Sequence, residues 1–337
     1  MNRRRVPRAA LALGLASLTS VALLTACGGS TTPSRSSTAT QPAANVASRA
    51  SYPVDVTNCG RTLHFDHAPA RVISGWPTSS DLLVALGLGK AVVGQYNTSQ
   101  GTPAAAQAAA VDAIPVLAEN APSREQLLAA RPDLIWADGS YLFDGQQLPT
   151  INDLAAGGTQ VMILSGFCTD DATRAKVTDV QADLTTLGKI FGVPDRAARL
   201  NADIGARLDA VTAKTGGLPP MTVAMISTFD GSIYTYGGVY TDIATRAGAR
   251  NIYAGTLPAG QYYGELSKER LLKDDPATLV YLLSGGESES DARAFLTKTL
   301  PTMTAVRAGK IAFLPQWDST NLAGIQGVET LAAALHP

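Results

Sequence analysis

Aromatic side chains stand just beyond several short apolar runs of the kind that form β-strands. In α/β proteins, ligands lie beyond the carboxyl ends of the strands, and flat rings with phenol hydroxyls suit a bulky small-molecule ligand. For each residue alone, ordinary packing is an equally good explanation. As a set they favour a binding cleft, because the chain is only 6% aromatic. The candidates for ligand contact are Trp76, Tyr96, Tyr141, Phe143, Phe229, Tyr236, Tyr240 and Trp317, with Tyr262 and Tyr263 as a further pair for the rim.

Motifs for catalysis or metal binding are weaker. Carboxylates lie near hydroxyls at Asp230-Gly231-Ser232 and Asp318-Ser319-Thr320, and two more occur at Asp170-Asp171. The sequence has no Gly-x-Ser-x-Gly elbow, no HExxH, no Gly-x-x-x-x-Gly-Lys-Ser/Thr loop and no complete His-bearing triad. Three histidines are too few for a dedicated zinc cage or a bare metal-ion receptor. We therefore expect a binding protein without a cofactor or metal site rather than an enzyme.

The elements that must position these side chains follow an α/β pattern. Apolar runs rich in β-branched residues alternate with helical patterns, as in βαβ units, which predicts parallel sheets flanked by helices. The predicted strands are 71–74, 91–94, 134–137, 161–164, 223–227, 233–236, 279–283 and 311–314. The predicted helices of the first half are 79–86, 124–130 and 147–156.

The middle of the chain has a different pattern. After Cys168, apolar residues recur at spacings of three and four, which predicts a long helix that begins at Asp170 or Asp171 and ends near Phe191. Pro194 suits the first turn of a second helix. We therefore expect two α/β lobes joined by a single long backbone helix.

An internal repeat supports two related lobes. Residues 123–132 and 267–276 both read S-x-E-x-L-L-x-x-x-P, and each segment precedes a predicted strand. Farther upstream, Ser80-Asp81-Leu82 before Gly87 matches Thr241-Asp242-Ile243 before Gly248. Any two βα units share a hydrophobic pattern, but the matched Ser, Glu, Leu pair and Pro go beyond it. The sequence predicts pseudo-symmetric lobes.

The N-terminus carries the features of an export signal. Four arginines precede the apolar run 9–24, which is short and rich in Ala and Gly for a transmembrane helix. The run ends in Leu24-Thr25-Ala26-Cys27, which resembles the lipobox of bacterial lipoproteins and implies cleavage and lipidation at Cys27. Plain secretion with a chance cysteine is the alternative. Residues 30–51 are mostly small and polar, which predicts a flexible tether to the membrane surface.

Two further cysteines, Cys59 and Cys168, belong to a chain that is bound for an oxidising compartment. We expect them to form a disulfide; a reactive thiol or metal site is the alternative and lacks a companion histidine. Lys and Arg (27) almost balance Asp and Glu (28), and no basic stripe is present, so a nucleic-acid partner is not expected.

These motifs together carry a resemblance to a known family. In the order and spacing of its motifs, the chain resembles the periplasmic-type binding proteins of ABC importers for ferric siderophores, haem and cobalamin. The motifs are the lipobox, Val56 to Arg61, Ala68 to Ile73, Leu82 to Gly89, Pro132 to Ile135 and the mid-chain helix. The likeness spans about residues 52–337. It implies two lobes bridged by a rigid helix, a shallow ligand cleft and a small hinge motion.

The resemblance also implies one role for two charged residues. In the family, one carboxylate on each lobe docks onto arginines of the permease, and these carboxylates match Glu125 and Glu269 of the repeat. The alternative is that each glutamate only complements its helix dipole or forms a capping box.

The ligand class follows from charge. A triscatecholate would require several arginines, but only Arg246 and Arg250 lie near the predicted C-lobe cleft edge. We take Arg246 as a further contact and favour a ferric hydroxamate, an iron(III) chelate. Haem and cobalamin receptors, and a ligand-sensing lipoprotein without a transport role, remain alternatives. A haem receptor would use an axial Tyr or His.

The predicted organisation is a lipoprotein signal peptide at 1–26, a tether at 27–51, an N-terminal lobe at 52–169, a linking helix at 170–192 and a C-terminal lobe at 193–337. We expect an extracytoplasmic monomer anchored to the cell membrane by its lipid, with an ABC permease dimer and its cytoplasmic ATPase as partners.

Overall fold

The fold is taken from a computed structural model that describes residues 51–100, 103–104, 106–168, 172–316 and 321–337. The predicted signal peptide, Cys27, almost all of the tether and Trp317 lie outside these residues. Within the described ranges, no helix combines the length and apolar character that crossing a bilayer requires.

The N-terminal lobe is built on a parallel sheet. An antiparallel hairpin of β1 and β2 comes first, and the sheet that follows has the order β4-β3-β5-β6. Every residue of β5 is buried, as expected for a parallel strand that is covered on both faces. The predicted strands of this lobe are confirmed to within one residue at each end. The bounds are β1 Val54–Asn58, β2 Arg61–Phe65, β3 Val72–Ser74, β4 Val92–Gln95, β5 Leu134–Ala137 and β6 Gln160–Ile163.

The described part of this lobe has four α-helices: α1 Pro77–Ala85, α2 Ala108–Asp112, α3 Arg124–Ala129 and α4 Ile151–Ala156. The last begins four residues later than the predicted 147–156. Pro149 disfavours helical backbone before it, and the Thr150 hydroxyl caps the helix by accepting from the Asp153 N–H at 3.1 Å.

The C-terminal lobe repeats this plan. Its strands are β7 Met221–Phe229, β8 Ser232–Tyr236, β9 Ala249–Asn251, β10 Tyr263–Glu265, β11 Leu279–Leu283 and β12 Ile311–Pro315. The parallel pairs β9-β7, β7-β11 and β11-β12 reproduce the order β4-β3-β5-β6. The antiparallel strands β8 and β10 extend this sheet. The predicted pseudo-symmetry is confirmed.

The helices of the C-terminal lobe preserve the repeat as well. They are α7 Val239–Arg246, α8 Lys268–Asp274, α9 Glu289–Thr299, α10 Thr304–Arg307 and α11 Leu322–Leu335. As α3 precedes β5, so α8 precedes β11, and the serine that begins each repeat caps its helix.

The linking helix predicted over 170–192 is shorter in the structure, and the second helix predicted to begin at Pro194 follows it. The predicted start at Asp170 or Asp171 lies outside the described residues, and α5 spans Asp179–Ile190. It ends there because Gly192 has φ +65° and Pro194 begins α6, Pro194–Thr215. Near the start of α6, the Arg196 guanidinium donates to the Leu86 carbonyl of the N-terminal lobe. Its last residue packs beside Gly248 of the C-terminal lobe, so α6 runs from lobe to lobe.

A single apolar core joins the lobes, which we call the shared core. It contains buried residues of α5 and α6, of α1 in the N-terminal lobe and of α11 in the C-terminal lobe. Its members with no exposed surface include Leu82, Leu86, Leu184, Leu187, Ile204, Ile325 and Val328. Because one close-packed core spans the junction, large relative motions of the lobes are disfavoured.

The predicted disulfide between Cys59 and Cys168 is confirmed. It ties the β1–β2 turn to the segment after β6. Beside it, the Asn58 side chain donates to the Ile163 carbonyl and accepts from the Ile163 N–H, both at 2.8 Å. The hairpin is therefore fixed to the sheet by covalent and polar bonds.

Asp183 is a buried carboxyl at the junction of α5 and the N-terminal lobe. It is 1% exposed and accepts from the Ser165 hydroxyl at 2.7 Å. Burial raises the pKa of Asp183 to about 7. The folded state therefore holds this proton more tightly than the unfolded chain, whose pKa is near the ordinary 3.8. Its contribution to stability falls as pH rises from about 4 to about 7.

We predict that Asp183→Asn removes this pH dependence. Between pH 4 and 8 the free energy of unfolding of the parent should fall relative to the variant by about 4 kcal/mol, since one unit of pKa shift corresponds to about 1.4 kcal/mol. Denaturant unfolding at each pH measures the difference, with the exposed Asp209→Asn as the control. Parallel pH profiles of the parent and Asp183→Asn would contradict the assignment.

Candidate functional site

A cavity of about 660 Å³ lies between the two lobes. Most of its described lining comes from the C-terminal lobe and is aromatic or uncharged polar. The lining residues are Ser99, Gln100, Phe229, Tyr234, Tyr236, Tyr262, Tyr263, Ser284, Gly285 and Gln316. Among them there is no charged side chain, and this sets the chemistry of the site.

Four tyrosines form one wall of the cavity. The two-residue period of a strand places Tyr234 and Tyr236 on the same face of β8, and Tyr263 of β10 lies opposite Tyr236 in register. The Tyr236 and Tyr263 rings stack with centroids 6.2 Å apart, and Tyr262 meets Tyr263 edge-on at 5.2 Å. The antiparallel strands β8 and β10 therefore present a continuous aromatic surface.

The Tyr236 hydroxyl is held by polar neighbours. The Gln316 side-chain amide donates to it at 2.7 Å, and the Ser227 and Tyr236 hydroxyls are hydrogen-bonded at 2.7 Å. Burial raises the pKa of Tyr236. The phenol is therefore neutral at physiological pH, and when Ser227 is the donor, the Tyr236 proton is available to an oxygen of the ligand.

Phe229 stands at the tip of the β7–β8 hairpin. It faces Ser232 across a two-residue Asp230-Gly231 turn whose φ angles are both positive, +48° and +80°, as a tight hairpin turn requires. The ring is 71% exposed and lines the cavity. Such an exposed apolar ring suits contact with the hydrocarbon part of a ligand.

The N-terminal lobe contributes a polar cluster that follows β4 and β5. The Tyr141 hydroxyl donates to Asp138 at 2.8 Å, and burial raises the pKa of Asp138 to about 6. Tyr96 is fully buried, and its hydroxyl has no hydrogen-bond partner among the described residues. Burial, together with charged and polar neighbours that include Asp138, raises the pKa of Tyr262 to about 12.

The structure brings only some of the predicted contact residues to the cavity. Phe229 and Tyr236 line it, and the rim pair Tyr262 and Tyr263 belongs to it. Tyr96 and Tyr141 lie in the polar cluster of the N-terminal lobe.

Four predicted contact residues are placed elsewhere or outside the described chain. Tyr240 is 3% exposed and packs edge-on against Tyr236 at 5.1 Å, behind the wall. Trp76 is half-buried at the start of α1 and is not part of the described lining. Arg246 is ion-paired with Asp242 at 2.9 Å on α7. Trp317 lies outside the described residues.

Phe143 requires a correction. It was predicted as a contact because it follows a strand, but its ring is 6% exposed and packs in the N-terminal lobe core with residues such as Leu148 and Ile163. A position after a strand does not determine whether a side chain turns towards the cleft or towards the core.

Several lining residues were not predicted. Ser284 and Gln316 directly follow β11 and β12, so the rule that selected aromatics at strand ends also applies to them. Tyr234 lies inside β8, on the same face as Tyr236, so a rule that selects residues after strand ends does not find it. Ser99 and Gln100 come from the segment after β4, whose path across the cleft has no local sequence signal.

Comparison with known proteins identifies the family. The family model described as periplasmic binding protein matches residues 72–317. The chain belongs to the periplasmic binding protein family. The predicted resemblance is therefore confirmed. No curated protein matches the chain.

Solved structures of this family share the fold. A protein of an ABC-type Fe3+-hydroxamate transport system from Saccharomonospora viridis is 27% identical, with 85% of this chain and 100% of that chain covered and a TM-score of 0.70. A periplasmic binding protein from Veillonella parvula is 22% identical, with 84% and 97% covered and a TM-score of 0.73. A periplasmic heme binding protein from Pseudomonas aeruginosa is 24% identical, with 80% and 93% covered and a TM-score of 0.61. Proteins of this family bind solutes outside the cytoplasm and work with ABC transporters.

The two glutamates of the repeat occupy equivalent positions on this fold. Glu125 and Glu269 are the second residues of α3 and α8, and both are exposed. In α3 the capping box is completed by Gln126, not by Glu125. Hydrogen bonds from its own N–H and from the Ser123 hydroxyl hold the pKa of Glu125 below its usual value. Each lobe therefore presents an exposed glutamate side chain at an equivalent place.

We predict that Tyr141→Phe raises the pKa of Asp138 above about 6, because the lost hydroxyl stabilises the carboxylate while the remaining ring preserves its burial. Carbon-13 NMR titration of labelled aspartate side chains measures this shift. Tyr253→Phe, which removes a hydroxyl elsewhere in the protein, should leave it unchanged. A titration of Asp138 near 4 in both the parent and the variant would disprove the predicted burial effect.

Proposed function

We propose that this protein captures a ferric hydroxamate siderophore in the interlobe cavity and delivers it to an ABC importer. The observation that carries the proposal is the described lining, which is rich in tyrosine and has no charged side chain. The similarity to the Fe3+-hydroxamate transport protein, at 27% identity over that whole chain, supports it.

The chemistry of the chelates separates the candidate classes. Three singly charged hydroxamates neutralise ferric iron, whereas three doubly charged catecholates leave a triply negative complex. A triply negative ligand requires converging arginines or lysines, and Arg246 is engaged by Asp242. The neutral chelate fits the uncharged wall, where hydroxyls donate to its oxygens and Phe229 covers its hydrocarbon part.

A haem or cobalamin receptor of the same family is the alternative. A haem iron would take an axial Tyr or His. No histidine belongs to the lining that the structure describes, and burial raises the pKa values of Tyr236 and Tyr262, which disfavours a phenolate ligand. A neutral phenol that donates to a chelate oxygen agrees better with these tyrosines.

Delivery requires contact with the importer, and we assign this role to Glu125 and Glu269. The lobes are pseudo-symmetric, so two exposed carboxylates at equivalent helix starts match a permease dimer with basic sites on each half. A lipid on Cys27 and the following tether would keep the receptor at the membrane surface. Without the permease contact, the same cavity would serve a ligand-sensing lipoprotein.

We predict that Tyr236→Phe weakens binding of ferrioxamine E or ferrichrome, which are both neutral, about tenfold, because one hydrogen bond to the chelate is lost. Isothermal titration calorimetry measures the affinity, and Tyr253→Phe provides a matched loss of a buried hydroxyl outside the cavity. Saturable binding of haem or ferric enterobactin, with no binding of either hydroxamate, would reject the proposed ligand class.

Charge reversal separates transport from sensing. In cells that depend on this receptor, Glu125→Arg with Glu269→Arg should reduce uptake of the iron-55 chelate at least about tenfold, since like charges would face the permease, while the affinity of the purified protein stays unchanged. Glu289→Arg, at the start of another exposed helix, should leave uptake intact. Normal uptake by the double variant would exclude the docking role.

A further inference from the structure

One close approach joins the two lobes at the cavity. The Ser99 carbonyl oxygen of the N-terminal lobe lies so near Gly285 of the C-terminal lobe that a Cβ atom at position 285 would stand 2.5 Å from it. Nonbonded heavy atoms rest at about 3.5 Å. No side chain therefore fits at position 285 while the lobes keep this spacing. Both residues are exposed in part to solvent and line the cavity.

The Ser99 side of this contact is held firmly to its own lobe. The Ser99 N–H and hydroxyl both donate to the Glu119 carbonyl, at 3.2 and 3.1 Å. Farther along the chain, the Ala104 N–H donates to the carboxylate of Asp81 at 2.9 Å, and Asp81 is 1% exposed. The carbonyl is therefore not free to retreat from a new side chain.

The Gly285 side is equally constrained. The Ser284 N–H donates to the Glu287 carboxylate at 3.1 Å, and the Glu287 N–H donates to the Ser284 carbonyl at 3.0 Å. Gly286 has φ +81°, but Gly285 lies outside the left-handed region. Alanine at 285 is therefore compatible with the local backbone, and the conflict that it creates is with the other lobe.

We infer that the Ser99–Gly285 contact is the stop against which the two lobes close, and that Gly285 determines ligand size by setting the width of the cleft. The shared core fixes the far side of the cleft and this contact fixes its mouth. A side chain at position 285 would move the two walls of the cavity apart, so that both could no longer contact a compact chelate at the same time. The ligand part of this inference rests on the proposed function, whereas the spacing of the lobes does not.

The spacing is measured without ligand. Spin labels on Cys residues introduced at the exposed helix positions Ala129 and Ala294, one in each lobe, report the interlobe distance by double electron–electron resonance. Relative to the parent, Gly285→Ala should lengthen the mean distance by about 1 Å and Gly285→Leu by more, because each must restore normal contact distances. Gly205→Ala, where an added Cβ meets no atom within 4 Å, is the control and should change nothing. An unchanged distance in a folded Gly285→Ala protein would overturn the inference, and circular dichroism establishes folding.

The effect on ligand affinity is measured with ferrichrome as the probe. Gly285→Ala should weaken binding about tenfold, because the walls no longer fit the chelate together, and Gly205→Ala should bind as the parent does. If the distance increases but the affinity for ferrichrome stays the same, Gly285 does not determine ligand size. If the parent binds no hydroxamate, the proposed function fails, and the distance measurement still decides whether the contact is the stop.

Discussion

The shared core is the constraint on which the rest of the structure depends. Side chains of α1, α5, α6 and α11 are buried together, so the lobes cannot separate widely without exposing apolar surface, at a cost of about 25 cal/mol per Å². The lobes therefore hold their sheets in a fixed relation, and the loops beyond the strand ends face one another across the cavity. The cavity belongs to the fold itself, and a bound ligand need only adjust it slightly.

The two lobes share a topology but contribute different chemistry to this cavity. Strands β8 and β10 are additions to the repeated parallel order, and they carry the tyrosine wall. The N-terminal lobe supplies Ser99 and Gln100. The repeated elements thus build the scaffold, while the unrepeated strands give the site its aromatic, uncharged character. Specificity for a neutral chelate is consistent with this division.

Much of the fold follows from the sequence because hydrophobic periodicity and the S-x-E-x-L-L-x-x-x-P repeat are local signals. The disulfide was predictable because two cysteines remain in an exported chain. The residues of the site were harder to predict from the sequence. Phe143 follows a strand but turns into the core, Tyr234 lies inside a strand, and Ser99 reaches Gly285 only through contacts between the lobes. Gly192 and Pro194 predict the break between α5 and α6, but the role of α6 in joining the lobes depends on packing.

In the proposed complex, the interlobe cavity holds an iron chelate against the tyrosine wall. Anomalous diffraction at the iron absorption edge, from crystals grown with ferrichrome, tests it most directly. We expect one anomalous peak between the rings of Tyr236 and Tyr263 and the Ser99 segment, with chelate oxygens within hydrogen-bond distance of the Tyr236 hydroxyl. An iron peak elsewhere on the protein, or crystals from a saturating ferrichrome solution with an empty cavity, would contradict it.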